Sequence, residues 1–127
     1  MEPARYDFRA AQGATFSRRL VLRNPDGTPM DLTGCTAEMP VTDGYGGAEV
    51  LNLSTSNDRI TLGGEAGTVE LLVSANDMSE IQVEADSGTR PLALVCVYDL
   101  NITWADGVTI SRPLTGDFRI SRAVNAP

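Results

Sequence analysis

The chain has 127 residues, with ten basic and seventeen acidic residues and a formal net charge of −7. This length suits one domain with one hydrophobic core, and no run approaches the roughly eighteen apolar residues of a membrane span. Histidine is absent, which excludes Ser-His-Asp and Cys-His catalysis, and the negative charge opposes nucleic-acid binding through phosphate neutralisation. We therefore expect neither a membrane nor a nucleic acid as a partner.

The two ends of the chain carry little hydrophobic pattern. Residues 1–12 have no apolar run behind their charges, so we expect no secretory signal and folding in a cytoplasm. We interpret residues 1–12 as a candidate N-terminal arm and residues 123–127 as a C-terminal tail. Residues 13–122 are then expected to form a single β-sandwich domain.

The first predicted strand is TFSRRLVLR, residues 15–23, in which Phe16, Leu20 and Leu22 alternate with polar residues. Arg18 and Arg19 form the only basic doublet of the chain. A doublet of this kind is typical of a solvated strand edge, and it also suits an ionic contact with an acidic partner. We keep both interpretations, with Arg18 and Arg19 as candidate interface residues.

The stretch RNPDGTPMDLTGC, residues 23–35, superficially resembles a calcium loop because it holds Asn24, Asp26, Thr28 and Asp31. A calcium loop of the helix-loop-helix kind needs helical flanks and a terminal bidentate Glu. Here the flanks are predicted strands and the Glu is absent, so the stretch is predicted to be a turn. Glycines that need positive φ are expected to shape the turns of the chain: Gly27, Gly34 and Gly107.

Shorter signals occupy the middle of the chain. CTAEMPV, residues 35–41, predicts a strand that Pro40 places at a sheet edge. RITL and GTVELLVS predict two further strands, and residues 74–84 predict one short helix with Ser74 near its start. Glycine-rich turns are expected at residues 44–49 and 62–67. Tyr45, in the first of these turns, is a candidate exposed contact residue.

The C-terminal third predicts a long hairpin. Even-numbered residues are apolar from Leu92 to Trp104 and again at Val108 and Ile110, which predicts a shared core face. A two-residue loop would pair Trp104 with Thr109 and set core against solvent, so a three-residue loop, residues 105–107, is expected. The odd positions at the start of the first strand are also apolar, which predicts burial on both faces there.

These elements predict an all-β protein, an antiparallel β-sandwich of about seven strands with one short helix. The predicted core contains Leu20, Leu22, Leu71, Tyr98, Leu100, Trp104, Leu114 and Phe118. Cys35 and Cys96 are expected as buried thiols, since two thiols without histidine are too few for a zinc site. We identify no catalytic, metal-binding or cofactor-binding residues.

Turn and strand residues recur in an order that resembles one family of tailed-bacteriophage virion proteins: Asp26, Gly27, Pro29, Asp31, Leu32, Thr33, Gly34, Gly67, Tyr98, Asp99, Leu100, Thr103, Asp106, Gly107, Leu114 and Gly116. The chain is similar, over nearly its whole length, to the N-terminal domain of baseplate upper proteins and to related small tail or fibre-adaptor proteins. The resemblance implies a non-enzymatic β-sandwich present in several copies per virion. Its implied partners are other tail, baseplate, fibre or capsid proteins, and its implied location is a virion assembled in the host cytoplasm.

Two other functions stay open at this point. A capsid decoration, or cement, protein would use the same kind of small β fold. A carbohydrate-binding module would need an aromatic platform, for which Trp104, Tyr98 and Tyr45 are the candidates. Trp104 and Tyr98 fall on the predicted core face, which argues against that use.

Overall fold

The computed structural model describes residues 4–44, 46–81 and 93–121. Nine strands lie in these ranges: β1 Ala4–Arg5, β2 Phe8–Ala11, β3 Phe16–Val21, β4 Thr36–Thr42, β5 Glu49–Ser54, β6 Ile60–Leu62, β7 Thr68–Val73, β8 Ala93–Thr103 and β9 Ile110–Ser121. One α-helix, α1 Ala75–Ser79, and one 3₁₀ turn, Gly64–Ala66, complete the described elements. The predicted all-β class is confirmed, with more strands than expected.

The strands form two sheets that enclose one core. The larger sheet has the order β1-β9-β8-β4-β5, with β2 also paired to β9, and the smaller sheet has the order β3-β7-β6. Pairing is antiparallel except that β1 and β2 run parallel to β9. Alternate residues of both sheets point inward and bury apolar side chains, among them Met39, Leu53, Leu71, Leu100 and Phe118.

Most of the predicted core residues are buried. Leu22, Leu71, Tyr98, Leu100, Leu114 and Phe118 belong to the core, while Leu20 and Trp104 are partly buried and pack against it. The predicted helix is confirmed at Ala75–Ser79, where the Ser74 hydroxyl accepts a hydrogen bond from the Asp77 amide. Residues 82–84 of that prediction lie outside the described residues. Both cysteines are free thiols; Cys96 is buried and Cys35 only partly so.

The N-terminal segment is not an arm over residues 4–11. It forms β1 and β2, whose backbone pairs with β9, and Phe8 is only 1% exposed. The Phe8 ring lies in an aromatic cluster, with ring centroids 5.0 Å from Tyr98, 5.8 Å from Phe16 and 6.0 Å from Phe118. Two short strands offer too few residues for a period to be read, which is why the sequence pattern missed them.

Pro40 does not mark a sheet edge. Its strand, β4, lies between β5 and β8, and Pro40 itself is paired with Asn52 of β5. The pairing of β4 with β8 skips Met39 and Pro40, running from Glu38 and Asn101 directly to Val41 and Tyr98. The missing proline N–H is thus accommodated by a gap in one ladder of an interior strand.

At the tip of the β8–β9 hairpin, residues 104–111, Trp104 is paired with Thr109, the pairing that the sequence pattern argued against. The Trp104 amide donates to the Thr109 carbonyl at 2.9 Å, and Thr103 pairs with Ile110. Four residues, 105–108, therefore connect the strands, and the predicted three-residue loop is wrong. Further along the hairpin even-numbered residues do pair with even-numbered residues, since Leu100 faces Leu114 and Cys96 faces Phe118.

A β-bulge reconciles the two registers. Ile102 pairs with Ser111, whereas Leu100 pairs with Leu114, so Arg112 and Pro113 together face Asn101. Proline has no N–H to give to a ladder and is found in sheets at such irregularities. The bulge changes the register by one residue and so turns the hairpin tip relative to the core.

The start of β8 is not buried on both faces. Val95 is 48% exposed, although the apolar odd positions predicted that it would be covered. Its even-numbered neighbour Cys96 is buried in the core. No second layer covers Val95 within the part of the chain that the structure describes, which leaves an apolar side chain on the outer face of the larger sheet.

Candidate functional site

The loop over residues 23–35 is a structural connection built around two aspartates. Asp26 accepts hydrogen bonds from the Thr28 amide at 3.0 Å and from the Thr28 hydroxyl at 2.6 Å. The hydrogen bond from the Thr28 side chain is the main reason that the Asp26 pKa is lowered. Gly27 has φ +89°, as predicted for this turn. The residues that resembled calcium ligands are thus engaged in shaping the turn.

The second half of the loop repeats the same arrangement. Asp31 accepts from the Thr33 amide at 3.0 Å and from the Thr33 hydroxyl at 2.6 Å, which lowers the Asp31 pKa. Between them Leu32 is buried in the core, and Gly34 follows with φ +77°. A Cβ atom on Gly34 would lie 3.1 Å from the Ala105 Cβ. The loop therefore packs against the turn of the β8–β9 hairpin.

The hairpin turn contains a third aspartate of this type. Asp106 accepts from the amides of Val108 and Thr109, at 2.9 and 2.8 Å, and from the Thr109 hydroxyl at 2.6 Å. The Thr109 side chain is the first cause of the lowered Asp106 pKa. Gly107 has φ +75°, as predicted. The Gly107 amide donates to the Trp104 carbonyl at 2.8 Å. Hydrogen bonds to the Asp106 carboxylate and to the Trp104 carbonyl therefore both stabilise this turn.

The hairpin tip presents apolar side chains to solvent. Val108 is 81% exposed and Ile110 is 65% exposed, although the alternation placed both on the core face. For Ile110 the bulge is the physical reason, because it sets Ile110 opposite Thr103 and so reverses the face that the first residues of β9 occupy. Val108 lies in the connecting loop, outside both strands. Pro113 was the available sequence signal, since a proline inside a predicted strand suggests an irregular ladder.

An open groove of about 620 Å³ lies beside the tip. Its walls come from the start of β4, the end of β5 and the chain after it, the end of β8 and the start of β9. Ile110 contributes an apolar side chain to it. The other lining side chains are mainly hydroxyl and charged groups: Thr36, Glu38, Ser54, Thr55, Ser56, Asn101, Thr103 and Arg112. The groove thus places polar side chains next to the exposed apolar side chains of the tip.

The predicted interface residues do not form one surface. Arg18 lies over the Phe16 ring, 4.8 Å from its centroid, and donates to the Arg9 carbonyl at 2.6 Å. It therefore connects the smaller sheet to the N-terminal strand of the larger one. Arg19 is exposed and pairs in register with Glu70 on the outer face of the smaller sheet. Tyr45 lies outside the described residues.

The aromatic residues considered as a sugar platform are engaged in the fold. Tyr98 is buried, and its hydroxyl donates to the Tyr6 carbonyl. Burial is the main reason that its pKa is raised, with the Asp7 charge second. Trp104 is partly buried and donates its indole N–H to the Ser111 hydroxyl at 2.8 Å. Both side chains thus take part in hydrogen bonds within the fold.

The described ranges 4–44, 46–81 and 93–121 contain no group of three Cys, Asp or Glu side chains placed to hold a metal ion. None of the helices in those ranges has the length and apolar character needed to cross a bilayer. Protein-family models and curated protein sequences were also compared with the chain, and none of them matches it.

Proposed function

We propose that the chain is a non-enzymatic structural protein of a phage virion, a docking module of the tail or baseplate that connects to fibres or neighbouring tail proteins. The resemblance of its ordered turn and strand residues to small phage tail proteins supports this assignment. The observation that carries it is the hairpin tip, where Val108 and Ile110 are exposed to solvent. Side chains of this kind at a projecting tip are suited to burial against another protein.

The turn chemistry supports a docking role because it makes the tip rigid. Asp106 and Gly107 hold the turn, and Gly34 packs against Ala105 from the neighbouring loop. A rigid tip loses little conformational entropy when it binds, so more of the apolar burial appears as affinity. Two aliphatic residues are too few for a stable interface of roughly 1,000 Å². The groove beside Ile110 extends the contact surface.

Incorporation into particles tests the proposal. A phage that lacks this gene is supplied with the chain in trans, and mass spectrometry of gradient-purified particles measures its amount. The wild-type chain is expected in particles, in the tail fraction after heads and tails are separated. A double variant, Val108→Asp with Ile110→Asp, should be soluble and folded but strongly depleted from particles, because a charge cannot be buried unpaired at the contact.

A matched control places the same charges on another apolar surface. Val21 and Leu72 are also exposed, on the outer face of the smaller sheet, and Val21→Asp with Leu72→Asp should leave incorporation unchanged. Recovery of the chain with heads would favour the capsid decoration protein instead. Absence of the wild-type chain from all particles would overturn the virion assignment.

A further inference from the structure

The larger sheet places two arginines side by side where the N-terminal strand β2 pairs with β9. Arg9 of β2 is the register partner of Arg119 of β9, and Arg119 is in turn the partner of Val95 of β8. Register partners on adjacent strands point to the same face of a sheet. Arg9 and Arg119 are exposed and Val95 is 48% exposed. These three residues form a continuous row, named here the arginine row.

Like charges on neighbouring strands repel each other, so an unneutralised pair is unfavourable in the free protein. The four ion pairs among the described residues involve Arg5, Arg59 and Arg112, and none includes Arg9 or Arg119. The nearest acids along the two strands, Asp7 and Asp117, are both bound to Arg5. The arginine row therefore keeps two positive charges in a chain whose net charge is −7.

Further positive charge flanks the row. A shallow groove of about 330 Å³ is lined by Arg9 and Arg18 together with Ala10, Ala11, Ala14, Thr15 and Phe16. Arg18 is held there by its hydrogen bonds to the carbonyls of Arg9 and Ser17, at 2.6 and 2.8 Å. The guanidinium of Arg18 is thus fixed beside the row by contacts of the fold.

We propose that the arginine row is a docking site for an extended acidic segment of a partner protein. A carboxylate of the segment binds between Arg9 and Arg119, and an apolar side chain two residues away covers Val95. The spacing suits this occupant, since neighbouring strands lie about 5 Å apart and side chains at positions i and i+2 of an extended chain lie about 7 Å apart on one face. Arginine also suits carboxylates because its planar group donates two parallel hydrogen bonds.

Charge and shape favour a protein segment over a nucleic acid. A polyphosphate carries charge along its whole length and would meet repulsion from the acidic remainder of the chain. One carboxylate beside an apolar side chain meets much less of that repulsion, and it also buries Val95. The row lies about 30 Å along β8 from the hairpin tip. Binding of an acidic segment to the row therefore does not depend on the tip contacts or on whether the chain is a virion component.

The test is a titration of the full chain, labelled with ¹⁵N, followed by NMR. The probe is a capped peptide of sequence Ser-Glu-Ser-Leu-Ser, compared with the same peptide carrying Gln in place of Glu. We expect the amides of Arg9, Val95 and Arg119 to shift with the acidic peptide and not with the neutral one. The double variant Arg9→Gln with Arg119→Gln should bind at least about fivefold more weakly, as the loss of two exposed ion pairs implies.

A second double variant, Arg19→Gln with Arg23→Gln, removes the same charge from two exposed arginines elsewhere on the surface and should bind like the wild type. Melting temperatures no lower than that of the wild type show that both variants are folded. The docking site is overturned if the row does not shift, if both peptides bind equally, or if both double variants lose affinity alike. A larger shift with oligothymidylate or inorganic phosphate identifies a different ligand. Shifts that grow with protein concentration alone identify a second copy, and either result overturns the proposed occupant.

Discussion

The backbone of Tyr6 crosses directly over Gly116 of β9, so closely that the Tyr6 carbonyl oxygen occupies the space of a Cβ atom on Gly116. The Tyr6 amide donates to the Thr115 carbonyl at 2.9 Å, and the Asp7 carboxylate accepts from the Asp117 amide at 2.9 Å. Gly116 is therefore the position that lets the N-terminal segment join the larger sheet.

Gly116→Ala should destabilise the protein by about 1–3 kcal/mol, because the added methyl forces the Tyr6 backbone away from β9. Urea denaturation measures the change. Gly44→Ala is the matched control, since a Cβ atom there meets nothing within 4 Å and its φ is not positive. The control should stay within about 0.5 kcal/mol of the wild type. Equal effects at both positions would show that the crossing imposes no steric limit.

Phe8→Ala should cost about 3–5 kcal/mol, as for other buried aromatic residues. The side chain is buried among Phe16, Tyr98 and Phe118, so its removal leaves a cavity in the core. Calorimetry or urea denaturation reports the loss. Arg9→Ala, next to it and exposed, serves as the control and should be nearly neutral. A small effect of Phe8→Ala would restore the interpretation of this segment as an arm.

Tyr98→Phe should lower the free energy of unfolding by about 1 kcal/mol at neutral pH, since the Tyr6 carbonyl loses its donor. Burial raises the Tyr98 pKa above the ordinary value near 10. The folded state therefore holds this proton more tightly than the unfolded state, and stability falls as pH rises above about 10. Denaturation curves between neutral and alkaline pH should show a steeper loss for the wild type than for Tyr98→Phe. Parallel curves would contradict this linkage.

Gly34→Ala should cost more than Gly27→Ala or Gly107→Ala. All three have positive φ, which alone costs roughly 1 kcal/mol for a residue with a side chain. Only at Gly34 does the new methyl also meet the Ala105 Cβ, at 3.1 Å. Ala105→Gly in the Gly34→Ala background should recover part of the loss, measured as a coupling in a double-mutant cycle. Strict additivity would show that the two loops do not press on each other.

The three aspartates of the turns should titrate below their ordinary range. Hydrogen bonds from Thr28, Thr33 and Thr109 lower the pKa values of Asp26, Asp31 and Asp106. A lowered folded-state pKa contributes stability above about pH 4, and this contribution disappears as pH falls through the folded-state value. Carboxyl ¹³C NMR measures each pKa. Thr33→Val should move the Asp31 pKa back towards normal and leave Asp26 as it was; no movement would refute the role of the hydroxyl.

The sequence predicted correctly those elements that depend only on residues close together in the chain. The apolar alternation of Val69, Leu71 and Val73 predicts a strand with one buried face because successive side chains point to opposite sides. The sequence also identified three glycines with positive φ, because the turns that contain them require this conformation: Gly27, Gly34 and Gly107. Ser74 likewise marks the helix start by offering a hydroxyl to a free amide.

Pairing between distant segments was decided only by the tertiary structure. Whether Pro40 lies at an edge depends on which strands flank β4, and the burial of Phe8 depends on a free edge of β9 far along the chain. The exposure of Ile110 depends on a one-residue bulge, which reverses the face of the first residues of β9 without changing the local alternation. Arg9 and Arg119 are separated by almost the whole sequence, and only strand register places their charges side by side. Strand register is set by the packing of the whole core, so it cannot be predicted from a local sequence pattern.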